Sequence, residues 1–296
     1  MPTAPVFKAA GTAASGTAGI SVTIPTYAEN DIGVMTVATA NQNVTTPTGW
    51  TICAGMPVSV GTVNAAGGLK LYKYWKRLAA SGETNPVSVA DPGDHVIAYI
   101  NLYSGCITTG DPFDTNKSSA GVAPATSISA AGFTTQAANE LVITTFASDR
   151  DSAAANLSGW TNASLASITE RQDVGTTSGF GSEIGEATGV KVSAGAVSAT
   201  TATQATSVNY AYINHALIPD PRPVWNPSVP GIIDNTLLRW HDIQDATAIT
   251  QGSGFCTFIG DKTGLGGDAS ESTAPPAYSA TGLNGRPCVV ADGHAV

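Results

Sequence analysis

Hydrophobic and polar positions alternate over short stretches of the chain from Met1 to Leu217, and no segment there carries an apolar stripe at helical spacing. In the first half, Ile20 to Ile24 alternates with period two, and Ile32 to Ala38 is a nearly continuous apolar run. Leu69 to Lys76 alternates strongly, which puts Leu69, Leu71 and either Tyr74 or Trp75 toward a core. Val87 to Ala90 and His95 to Tyr103 follow. Turn chemistry separates these segments at Pro47-Thr48-Gly49, Ala66-Gly67-Gly68 and Asp91-Pro92-Gly93-Asp94. The second half predicts strands over Thr126 to Ser129, Leu141 to Ala147, Trp160 to Arg171, Phe180 to Val192, Val197 to Thr203 and Ser207 to Leu217.

The two halves resemble each other. The Asn30-Asp31-Ile32 strand entry recurs as Asn139-Glu140-Leu141, Gly49-Trp50-Thr51 recurs as Gly159-Trp160-Thr161, and Ala98-Tyr99-Ile100-Asn101 recurs unchanged as Ala211-Tyr212-Ile213-Asn214. The offsets, 139 − 30 = 109, 160 − 50 = 110 and 211 − 98 = 113, stay in order and nearly constant. Two pseudo-repeats are therefore expected, about residues 20–108 and 126–217, forming one all-β, jelly-roll-like β-sandwich over residues 1–217. Pro219, Pro221, Pro223, Pro227 and Pro230 then mark residues 218–231 as an extended, semi-rigid linker to a segment of different texture, 232–296.

Composition narrows the partners. Only 12% of residues are charged, the formal net charge is −9, and the 13 Lys and Arg form no phosphate-binding patch, so nucleic acid is not an expected partner. No apolar run reaches membrane-spanning length, and residues 1–8 lack the charged and apolar regions of a secretory signal, so no membrane association is expected and synthesis in a cytoplasm is. Cys53, Cys106, Cys256 and Cys288 are too widely spaced for a zinc motif and read as buried free thiols.

The chemistry-bearing residues read mainly as structural. No nucleophile elbow or metalloprotease helix accompanies His95, His215, His241 and His294, and His95 and His215 are expected to be hydrogen-bonded structural histidines. The acidic candidates for glycoside hydrolysis are Asp149 with Asp151, a pair flanking Arg150, and Glu183 with Glu186, placed in a glycine-rich turn. Asp91 with Asp94 and Asp111 with Asp114 could offer oxygens to calcium but read as solvated turns. No catalytic residue, metal site or cofactor is assigned. The candidate glycan or partner contacts are Trp50 and Trp160, which otherwise plug the ends of the sandwich, and Tyr74, Trp75, Lys73 and Lys76. The last four belong to a basic cluster with Tyr72, Lys70 and Arg77, read as an edge strand whose lysines discourage aggregation or meet an acidic partner.

After the prolines, Trp240-His241-Asp242, Gly260-Asp261-Lys262-Thr263-Gly264 and Asn284-Gly285-Arg286-Pro287 up to Asp292-Gly293 resemble the opening of a concanavalin A-like, laminin-G-type lectin sandwich. Gly260 stands where that pattern commonly has Trp, and Leu265 replaces its Asn. The stretch from Gly231 to Val296 is too short to close such a module, so residues 232–296 are expected to be an incomplete one. The stretch before the prolines resembles, less specifically, the N-terminal β-domains of tailed-phage virion proteins, on the Gly-Trp-Thr turns and the strand entries already named. These resemblances imply a non-enzymatic appendage at the virion surface, tail or capsid attached. It would contact other virion proteins, assemble as a homo-oligomer with a trimer as one option, and present a module for host surface polysaccharide. The alternatives are a capsid decoration protein with a mechanical role and a polysaccharide-degrading tailspike whose catalytic part lies outside this chain.

Overall fold

The structure, a computed structural model, describes residues 2–120, 124–154 and 156–221, together with 249–252, 255–259, 269–270, 277–283 and 286–290. The chain divides into two compact units, Met1–Pro221 and Arg222–Val296. Every regular element among the described residues is a β-strand, and all paired strands are antiparallel. The all-β sandwich expected from the alternation is what forms.

The first repeat supplies β1 (Val6–Ala9), β2 (Ala14–Gly16), β3 (Ile20–Val22), β4 (Ile32–Thr39), β5 (Thr51–Ile52), β6 (Val58–Val60), β7 (Leu69–Arg77), β8 (Val87–Val89) and β9 (Val96–Ser104). The second supplies β10 (Phe113–Ala120), β11 (Ala125–Ala130), β12 (Phe133–Thr135), β13 (Glu140–Ser148), β14 (Leu157–Thr161), β15 (Ala166–Thr176), β16 (Ser182–Lys191), β17 (Gly195–Val197), β18 (Thr200–Val208) and β19 (Tyr210–Leu217). The main sheets have matching orders, β1-β9-β4-β7-β5 in one repeat and β10-β19-β13-β16-β15 in the other. Each main sheet carries small sheets on its outer face: β3-β8 on the first, and β11-β18-β14 with β12-β17 on the second.

The apolar clusters show how these layers stack. Met35, Val37, Tyr72, Tyr74 and Ile100 fill the space between the first main sheet and β3-β8. Phe146, Tyr212, Ile128 and Ala202 do the same in the second repeat. Between the two main sheets, Leu69, Leu71, Ile97 and Tyr99 meet Ala147, Ile184, Ala211 and Ile213, while Ile32, Val34 and Tyr103 meet Leu141, Ile143 and Leu217. Each repeat is thus a sandwich of its own, and the two pack through their broad sheets. Because β4, β9, β13 and β19 are covered on both faces, they read as near-continuous apolar runs rather than alternating ones.

Register makes the repeat quantitative. Thr36 lies opposite Lys73, and Thr145, at the repeat offset from Thr36 (145 − 36 = 109), lies opposite Glu186. Lys73 and Glu186 are therefore structural counterparts. Asn30 and Asn139 both take the left-handed conformation, with φ of 65° and 61°, at the same turn. The repeated Ala-Tyr-Ile-Asn tetrapeptide behaves differently. Tyr99 lies opposite Thr36, but Thr145 lies opposite Ile213, so the second copy is shifted by one residue. A one-residue slip turns every side chain to the other face. Tyr99 and Asn101 point between the main sheets, whereas Tyr212 joins the outer cluster.

The start of the proline-rich segment is tied to the first unit. Ile107 N–H donates to the Ile218 carbonyl at 3.1 Å, Ile218 N–H to Pro112 at 2.9 Å and Asp220 N–H to Gly105 at 2.8 Å. The rest of the expected linker, residues 222–231, lies outside the described residues. In the second unit β20 (Ile249–Gly252), β21 (Phe255–Ile259), β23 (Ala277–Leu283) and β24 (Arg286–Val290) pair in that order, and β22 (Ala269–Ser270) adds to β21. Of the lectin-like motifs, residues 240–245, 260–265, 284–285 and 291–293 lie outside the described residues.

Candidate functional site

The densest concentration of polar chemistry lies between the two main sheets. Lys73, from the middle of β7, and Glu186, from the middle of β16, face each other with Nζ 2.5 Å from Oε2, and both side chains are fully buried. The same carboxylate receives Thr145 Oγ1–H at 3.0 Å and Tyr99 O–H at 3.3 Å on Oε2, and Tyr103 O–H at 2.5 Å and Asn101 Nδ2–H at 2.8 Å on Oε1. Lys73 Nζ also donates to Thr145 Oγ1. Asn101 Oδ1 in turn accepts from Gln172 Nε2 and from Gly11 N–H, both at 3.2 Å.

A buried charge is tolerated only when it is paired and its remaining hydrogen-bonding capacity is met, and Glu186 satisfies both conditions. Burial alone would raise the pKa of this carboxyl. The Lys73 ammonium, with hydrogen bonds from Lys73, Tyr103 and Asn101, outweighs that and holds it below the ordinary carboxylate value. Burial first, and then the Glu186 charge, pushes the Tyr99 and Tyr103 phenols well up. His215, the counterpart of Asn101 in the second sheet, stacks on Phe113 with ring centroids 4.1 Å apart. Burial and then the Lys73 charge hold it well below its ordinary value, so it is neutral.

A second polar chain joins the repeats near one end of the main sheets. Ser182 Oγ and His95 Nε2 are 2.8 Å apart, and His95 Nδ1 is 2.8 Å from Asp94 Oδ2. Asp94 Oδ2 also accepts Phe180 N–H at 2.7 Å. The order Ser-His-Asp is that of a nucleophile triad. Here Ser182 and His95 are both fully buried, so the serine oxygen faces the opposite sheet and not a substrate. The arrangement fastens β16 to the start of β9.

These positions correct three readings of the sequence. Lys73 does not lie on an edge: β7 is flanked by β4 on one side and by β5 and β6 on the other, and its fully buried side chain is spent on Glu186. Glu183 and Glu186 lie within β16 rather than in a turn, both buried. Tyr74, also fully buried, belongs to the outer cluster, where it stacks on Tyr72. Trp75 is partly buried between the main sheets. Lys76 is paired with Glu83 and a quarter exposed.

Trp50 is buried over Gly33, where an added Cβ would lie 3.2 Å from its Cη2. Trp160 packs on Phe146 and over Gly185, and its Nε1–H donates to Glu170 at 2.7 Å. Of the six candidate contact residues, Trp160 on β14 and the neighbours Trp75 and Lys76 on β7 keep partial exposure. His95 is hydrogen-bonded as expected, whereas His215 Nε2 has no hydrogen-bond partner among the described residues.

Asp91 Oδ1 accepts Gly93 N–H and Asp111 Oδ1 accepts Phe113 N–H, each closing its own turn. Cys53 and Cys106 are buried free thiols whose pKa burial pushes up to about 12, far from a reactive thiolate. Among the described residues no three His, Cys, Asp or Glu side chains converge as metal ligands would. No protein-family model, curated protein or solved structure matches this chain.

Proposed function

We propose that residues 1–221 form the load-carrying β-body of a virion appendage, a non-enzymatic structural protein that anchors to the particle and carries a glycan-binding module on its C-terminal side. The observation that carries this reading is the use of the buried polar groups. Lys73 bonds to Glu186 and Ser182 to His95 across the two repeats, so these buried groups are spent on holding two sandwiches together. The resemblance of residues 237–293 to a lectin opening, and of the body to virion β-domains, supplies the rest. Several copies on one particle would add avidity to weak sugar contacts.

The test is to locate the protein by labelled imaging of particles and to compare adsorption of particles with and without it. Signal on the tail or capsid surface, with adsorption lost on deletion, is the expected result. Normal adsorption by deleted particles contradicts the receptor role, and reducing ends released from host polysaccharide by the purified chain contradict the non-enzymatic one.

A further inference from the structure

The two repeats hold their first main-sheet strand, β1 or β10, by different chemistry. In the first, Lys8 on β1 pairs with Asp31 at 2.5 Å, and Asp31 Oδ2 also accepts Ala28 N–H at 2.6 Å. The second repeat keeps the frame. Phe7 and Phe113 are counterparts, lying opposite Tyr103 and Leu217, and a register shift follows each of them. Glu140 takes the place of Asp31 and accepts Ala137 N–H on Oε1 at 2.7 Å, as Asp31 does from Ala28 (137 − 28 = 109).

The place of Lys8 falls to Asp114. A carboxylate faces a carboxylate where the other repeat has an ammonium. Both Asp114 oxygens accept from Gln136, Oδ2 from N–H at 2.6 Å and Oδ1 from Nε2 at 2.8 Å. Glu140 is fully buried, and its Oε2 receives no donor from another residue. Asp114 and Glu140 take the adjacent N–H groups of Gln136 and Ala137, and two carboxyls brought together in this way attract each other only when one carries a proton.

We propose that Asp114 and Glu140 form a proton latch: a shared proton does in the second repeat what Lys8 does in the first, and it holds edge strand β10 against the body. Lys191 on β16 is the cross-strand neighbour of Glu140 and makes no ion pair with it, so it does not replace the proton. The neighbour of Glu140's strand on the other side brings Leu217 and Ala216 to this end, neither of them titratable. Burial, and then the Asp114 carboxyl, raises Glu140 to about 7, which agrees with the geometry.

A carboxyl raised in the folded state contributes stability that is full below its unfolded value, near 4.5, and is lost as pH rises through about 7. Asp173 and Glu183 form a like pair, with Glu183 also raised to about 7 by burial and then by Asp173. That pair adds a slope of the same sign, so the informative quantity is the difference between variant and wild type.

Thermal unfolding of the full chain from pH 5 to pH 8 tests the latch with Asp114→Lys, which rebuilds the Lys8 arrangement, and Glu140→Gln, which is uncharged throughout. Both are expected to melt above wild type at pH 8, by roughly 5 °C, and the gap is expected to close toward pH 5. In wild type, amide exchange of Phe113–Ala120, corrected for its intrinsic pH dependence, is expected to show more opening at pH 8. If Asp114→Lys does not fold, Glu140→Gln alone decides. Melting that runs parallel to wild type across the range overturns the latch. So does stabilisation at pH 8 by millimolar calcium that chelator removes, which would put a cation in the place of the proton.

Discussion

Lys73 and Glu186 are the residues on which the two repeats meet. Each is the structural counterpart of the other, so their contact is the meeting of one position with itself that a two-fold axis produces. Identical side chains there would place two like charges in a dry interface, and the two copies instead carry opposite ones. Removing one partner strands the other. Lys73→Met is expected to cost about 3–5 kcal/mol in denaturant unfolding, and Glu186→Gln less, because an amide can still accept from Tyr103. The double variant Lys73→Met/Glu186→Leu is expected to lose less than the sum of its singles. Strict additivity would show that the pair is not coupled.

At the scale of elements, the strands were legible because alternation and turn residues are local signals. The phase of β7 was legible only in part. Leu69, Leu71 and Lys73 share one face, so a core face for Leu69 already implies one for Lys73. A lysine is taken as solvated until a buried carboxylate is known to wait for it, and that carboxylate stands on β16, in the other repeat. Glu186 was obscured in the same way by Gly185 and Gly189, which read as turn residues.

Gly185 has a packing role instead. A Cβ there would lie 2.3 Å from Leu157 Cδ1 and 3.2 Å from Trp160. Gly185→Ala is therefore expected to cost about 1–3 kcal/mol in denaturant unfolding and to blue- or red-shift the tryptophan emission as Trp160 is displaced. An unchanged midpoint and spectrum would mean that β14 can move aside freely. The repeated tetrapeptide gives the opposite lesson, since sequence identity concealed a slip that only the strand pairing shows.

At the scale of the whole first unit, Met1–Pro221, two sandwiches behave as one body because polar contacts, Lys73 with Glu186 and Ser182 with His95, are set into an apolar seam. Such a body suits the anchoring role proposed for it, since parting the repeats would expose two buried charges together with both inner faces. The sequence pointed to a duplicated all-β unit, but the stacking of its layers depends on long-range contacts that no local pattern encodes.

Native-state hydrogen exchange tests this most directly. The slowest amides of β4 and β9 in the first repeat, and of β13 and β19 in the second, are expected to exchange with one common opening free energy, and Lys73→Met is expected to lower it equally in both repeats. Two distinct opening energies in wild type, or a loss confined to the first repeat, would contradict the single-body account.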